Sequence, residues 1–131
     1  MSEELRRQTE EWFIRGQHDL ETAQLLLEHG GHPEAIAVHL QQALEKCLKG
    51  WLVWHEQEPP RTHDLMLLLH RATQHNPSLQ EFTDLCDRAT AYYLEDRYPP
   101  GSLPQYTYGQ LTADFEEVSR LVNRLRRETT G

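Results

Sequence analysis

Apolar side chains recur at steps of three and four residues along most of this chain, a period that suits helices packed face to face and excludes half-buried strands. Leu5, Trp12, Phe13, Gly16, Leu20, Ala23 and Leu27 give a first helix from about Glu3 to Glu28. Gly30-Gly31 ends it, because glycine enters the left-handed conformation that closes a helix without steric penalty. Pro33 suits the first turn of a second helix, where its missing N–H costs nothing. Ile36, Leu40, Ala43, Cys47, Trp51 and Trp54 form one stripe along that helix, widened by Leu44 and Leu48. Across so short a connection the two long helices are expected to lie antiparallel.

Shorter helical segments follow. Glu58-Pro59-Pro60 closes the second helix, and Thr62 is the expected N-cap of a third, with His63 and Asp64 in its first turn and Leu65 to Leu69 as its apolar body. Ser78 is placed to cap a fourth, in which Leu79, Phe82, Cys86, Ala89 and Tyr93 repeat at helical intervals. A loop containing Pro99, Pro100, Gly101 and Pro104 leads to a last helix opening at Gln110 or Thr112 and carrying Leu111, Phe115, Val118, Val122 and Leu125. No segment shows strand alternation bounded by turn residues. The expected architecture is all-α, an up-and-down bundle of about four to five helices formed by residues 1–131 as a single domain.

Charge and composition narrow the function. A formal net charge of −8 over 131 residues opposes broad, unspecific nucleic-acid binding, so RNA is not an expected partner. A local basic patch would have to come from Arg6 and Arg7, or from Arg120, Arg124, Arg126 and Arg127; basic residues in a last helical turn are explained as economically by the helix dipole. No apolar run reaches the length of a membrane span, and the N-terminus lacks the apolar core of a secretion signal, so a cytoplasmic chain is expected. Cys47 and Cys86 sit among apolar neighbours and are expected to be reduced core thiols. No metal motif, glycine-rich phosphate loop or nucleophile elbow is present, and no cofactor is implied.

Four elements carry a resemblance when taken together. They are D-L-x-x-A at Asp19 to Ala23, H-L-Q-Q-A-L-E-K-C-L-K-G-W-L at His39 to Leu52, P-R-T-H-D-L at Pro59 to Leu65, and Y-Y-L-E-D-R-Y-P at Tyr92 to Pro99. In this order and at these distances the chain resembles the HEPN domain family (higher eukaryotes and prokaryotes nucleotide-binding). The resemblance implies a helical bundle, a homodimer, a nucleotide ligand, and a small nucleotidyltransferase as partner in a toxin–antitoxin-like pair. Several branches of that family are metal-independent ribonucleases marked by an Arg, four to six intervening residues and then a His. Here Arg71 and His75 leave three residues between them, and Arg88 and Arg97 have no His at that spacing. The resemblance is therefore to a branch without the ribonuclease motif, and no catalytic residue is assigned; a ribonuclease or its degenerate descendant is the alternative.

The candidate ligand residues follow from the two ends of this pattern. Arg97, Tyr98 and Tyr93 at the end of the fourth helix, with His63 and Asp64 at the start of the third, form an expected pocket in which aromatic faces stack on a base and Arg97 holds a phosphate. The same atoms also suit a structural corner. On the second helix Gln41, Gln42, Glu45, Lys46 and Lys49 read as a solvated polar side, with Glu45 and Lys49 a favourable pair; Gln42, Lys46 and Lys49 are alternatively spaced to line a groove, and Lys46 joins the candidate ligand set. Trp12, Phe13, Ile14, Trp51, Val53 and Trp54 are more apolar surface than one narrow stripe accommodates, which supports a dimer.

Overall fold

Helix α1 (Glu3–Glu28) starts where the Ser2 hydroxyl accepts the Leu5 N–H at 3.1 Å. It ends with Gly30 at φ 69° and the Gly31 N–H bonded back to the Leu26 carbonyl, the closure expected of a glycine pair. The computed structural model of the chain describes residues 1–95 and 106–130, the side chains of 93–95 excepted. Pro33 opens α2 (Pro33–Trp54) as anticipated. That helix stops earlier than the prolines require. Glu56 adopts φ 59°, its N–H bonds the Val53 carbonyl and that of Gln57 bonds Leu52, a Schellman closure made without glycine.

Three boundaries differ from expectation for one reason, the competition among neighbouring side chains to satisfy exposed N–H groups. Asp64, not Thr62, caps α3 (Leu65–Thr73), its carboxylate accepting the Met66 N–H at 2.9 Å; Thr62 instead accepts the Asp64 N–H. Asn76, not Ser78, caps the next segment, and its side chain takes both the N–H and the hydroxyl of Ser78. The turn so formed is a 3-10 helix (Pro77–Phe82) holding Leu79 and Phe82, and α4 (Thr83–Glu95) follows directly. Thr107, not Gln110 or Thr112, caps α5 (Tyr108–Glu128).

The result is an all-α bundle of five α-helices, with no strand among the described residues. Helices α1 and α2 run antiparallel along most of their lengths, and α2 also packs against α3, α4 and α5. It is the axis of the molecule. Ile36, Leu40, Leu44, Leu48, Trp51 and Leu52 on α2 meet Leu65 and Leu68, Phe82 and Leu85, Leu111, Val118 and Leu125 in one core. Both thiols lie inside it and are free; burial pushes Cys47 and Cys86 each up to about 12. No helix among the described residues is long and apolar enough to cross a membrane.

Two glycines set the distance between α1 and α2. A Cβ at Gly16 would lie 2.5 Å from the Cys47 Sγ and 3.2 Å from the Ala43 carbonyl oxygen, and one at Gly50 would lie 2.8 Å from the Trp12 Cβ. Each helix thus gives up one side chain where the other is thickest. Gly16→Val is expected to lower unfolding free energy by about 3 kcal/mol through overpacking. Gly109→Ala, whose new Cβ meets nothing within 4 Å, should raise it by about 0.5 kcal/mol. Urea denaturation of both variants checks the contrast.

Candidate functional site: a polar seam between the first two helices

Because α1, α3, α4 and α5 pack around α2, much of its polar stripe is turned away from water. Gln41, Glu45 and Lys49 are buried, and Gln42 and Lys46 are half-buried. The solvated face expected for these residues is therefore replaced by an internal network, which the central position of α2 imposes and which its own sequence period could not reveal. The chain contains only two lysines, Lys46 and Lys49, the other basic side chains being arginines. Both lie in this seam, with side chains 25% and 10% exposed.

Two carboxylates organise the network. Asp19 on α1 is brought opposite α2 by the antiparallel pairing; its Oδ2 accepts the Lys46 ammonium at 2.5 Å and its Oδ1 bonds His39 Nδ1 at 2.8 Å. Glu45 accepts the Lys49 ammonium on Oε2 at 3.2 Å. Its Oε1 bonds His63 Nδ1 at 2.8 Å and accepts the Gln41 amide at 3.1 Å. A carboxylate only accepts, so each imidazole presents an N–H at Nδ1. The Gln41 amide reaches the His63 carbonyl at 3.2 Å as well, and Gln42 donates to Gln41 Oε1 at 2.6 Å. His63 is carried here by the Pro59-Pro60 link. The Lys49 ammonium also lies 5.6 Å from the centre of the Trp12 ring, a cation–π distance.

The structure thus joins two of the sequence-derived ligand residues, Lys46 and His63, to one seam. Asp64 is engaged as the α3 cap. Arg97, Tyr98 and the Tyr93 side chain lie outside the described residues. Tyr92 is buried, its hydroxyl bonded to the buried Asp114 carboxylate and its ring edge-on to Tyr106 at 4.8 Å. Arg88 reaches the same Asp114 at 3.0 Å, tying α4 to α5. Asp19 and His39 stood in the quoted motifs without an assigned role. The signal that could have found them is the meeting of both lysines with a facing acid on an antiparallel neighbour.

Of the arginines named as a possible basic patch, Arg6 and Arg127 make no ion pair with a described residue, and the others are paired. Arg7 pairs with Glu4 and Glu11, Arg120 and Arg124 with Glu81, and Arg126 with Glu10. These exposed pairs contribute little to stability. Among the described residues no group of three or more His, Cys, Asp or Glu is arranged to hold a metal. Of the six apolar residues that argued for a dimer, Phe13, Trp51 and Val53 are buried within the chain's own core, leaving Ile14 exposed and Trp12 and Trp54 half-buried.

A five-helix bundle with a charged seam between its two long helices is the class of protein these features define. The HEPN domain family model matches residues 9–127, and the chain belongs to that family. Two solved structures share the fold. ST0689, an archaeal HEPN homologue, is 22% identical with a TM-score of 0.74, over 94% of this chain and 98% of that one. TT1696 from Thermus thermophilus is 18% identical with a TM-score of 0.76, over 92% of this chain and 97% of that one. No curated protein matches the chain.

Two measurements check the seam and its neighbourhood. Glu45→Ala strips the counter-charge from a buried lysine and should cost about 3 kcal/mol. His63→Ala, at a ring 52% exposed, should cost about 1 kcal/mol or less, both by urea denaturation. The second concerns His55, which stacks on His75 at 4.7 Å and against Trp51 at 4.0 Å. Burial, followed by the charge of His75, pushes its pKa down, opposed by Glu128. The unfolded chain then takes up the proton first, so stability is full above about pH 6.5 and falls as pH drops below it. In His55→Gln the loss of unfolding free energy between about pH 7.5 and pH 5.5 should be smaller than in the wild type.

Proposed function

We propose that this HEPN chain is a non-catalytic binding module whose seam holds the phosphate of a nucleotide, that it acts as a homodimer, and that its protein partner is a small nucleotidyltransferase in a toxin–antitoxin-like pair. The observation that carries the nucleotide reading is the placement of both lysines. A surface lysine is ordinarily kept in water; here two are drawn into a seam beside His39 and His63, all four oriented by Asp19 and Glu45. Such fixed N–H donors cost little reorganisation when an anion arrives. In this reading Arg97 serves as phosphate clamp and Tyr98 and Tyr93 as stacking rings.

The dimer reading is supported by α1. Ile14 and Leu25 are 46% and 57% exposed and eleven residues apart, close to three whole turns, so they share one face. The nucleotidyltransferase partner rests on family membership alone. Cytoplasmic residence accords with the free thiols.

Calorimetric titration with AMP, ADP, ATP and GTP tests the site. At least one should bind the wild type, and Lys46→Met and Arg97→Ala should each weaken it roughly ten- to hundredfold, the worth of a charge-assisted hydrogen bond. Unaltered affinity in both variants overturns the reading. Sedimentation equilibrium should give a dimer, and an Ile14→Glu, Leu25→Glu double variant a monomer. Cleavage of single-stranded RNA by the wild type, lost in an Arg97→Ala, His63→Ala double variant, would replace this reading with the ribonuclease one.

A further inference from the structure

Beside the seam, α1 carries a half-open depression of about 150 Å³ lined by Gln8, Glu11, Trp12 and Arg15. Whole small molecules are generally enclosed by pockets of about 300 Å³ or more, so this one suits a single flat ring with the rest of the ligand outside it. Trp12 is half-buried and held from behind, its Cβ seated against Gly50 where no other residue would fit. A ring so anchored is a ready stacking platform. Gln8, one turn before it, donates one amide hydrogen to Glu4 at 3.0 Å, which leaves the second hydrogen and the carbonyl oxygen to read a ring edge.

Charge distinguishes the two ends of this depression. Glu11 pairs with Arg7 at 2.9 Å, a guanidinium it shares with Glu4. Arg15, one turn beyond Trp12, is exposed and makes no ion pair with any described residue, unlike Arg7, Arg88, Arg120, Arg124 and Arg126. The Lys49 ammonium lies over the Trp12 ring while bonded to Glu45, so the depression and the seam share one side chain. At this junction Lys46 and Lys49 are paired with Asp19 and Glu45, and Arg15 is the cation on the depression's own lining.

We propose that the Trp12 depression is a base subsite: a flat aromatic ring stacks on Trp12, the Gln8 amide bonds its edge, and Arg15 pairs with the anionic group that the ring carries. This deepens the nucleotide reading of the seam and rests on it. The subsite makes α1 as much a part of the ligand site as α2, and it needs neither Tyr98 nor Tyr93 for stacking.

The test compares the mononucleotides AMP, GMP, CMP and UMP with ribose 5-phosphate, which has the phosphate and no base, by calorimetry on the full chain. At least one mononucleotide should bind roughly tenfold or more tightly than ribose 5-phosphate, a factor within what base–aromatic stacking supplies. That preference should vanish in Trp12→Leu, and Arg15→Ala should weaken the mononucleotide about tenfold. Should Trp12→Leu fail to fold, Gln8→Ala and Arg15→Ala, both at the surface of α1, decide the matter. Equal affinity for ribose 5-phosphate and every mononucleotide, or a mononucleotide affinity unmoved by Arg15→Ala and Gln8→Ala yet lost in Lys46→Met, overturns the subsite and leaves the seam reading standing. Absence of binding by all five compounds overturns the subsite, and absence of binding by ADP, ATP and GTP as well overturns the seam reading with it.

Discussion

The close approach of α1 to α2 is the contact on which the rest of the molecule depends. Gly16 lets the Cys47 sulfur and the Ala43 carbonyl press against the α1 backbone, and Gly50 gives the same room to Trp12 and Phe13. At that separation the antiparallel register puts Asp19 within reach of both His39 and Lys46, which are two turns apart on α2. A wider spacing would leave the carboxylate to water and the lysine without its partner. The short Gly30-Gly31 turn fixes the register, with the Tyr108 hydroxyl donating to the Gly31 carbonyl at 2.7 Å from the start of α5.

An axial helix with a polar stripe must satisfy that stripe internally, because a buried charge without a partner costs several kcal/mol. Here two carboxylates receive two ammonium groups and two imidazoles, and Gln41 adds a further donor to Glu45. The Asp114 carboxylate does the same for Arg88 and Tyr92 between α4 and α5. These networks hold their donors in fixed directions. A fixed donor set is what an anionic ligand requires.

The long elements were legible because their signals are local. The start of α1, the Gly30 closure and Pro33 at the first turn of α2 each depend on one or two residues, and the structure has them as read. The ends of α2 and the 3-10 helix were not, since Glu56 accepts a left-handed conformation that its residue type disfavours, and Asn76 outcompetes Ser78 for the capping role. The seam was half legible. Lys46 and His63 were singled out, but Glu45 and Lys49 resembled an ordinary exposed i,i+4 pair. Only the packing of four other helices around α2, a tertiary fact, turns that pair inward.

A double-mutant cycle on Asp19 and Lys46 tests the central claim most directly, that the α1–α2 contact holds the seam as a desolvated, mutually dependent network. Unfolding free energies of the wild type, Asp19→Ala, Lys46→Ala and the double variant would be measured in urea at neutral pH. The account predicts a coupling above about 1 kcal/mol, beyond what exposed pairs give. A coupling of about 0.3 kcal/mol or less would mean that the two charges are independently solvated, and would contradict it.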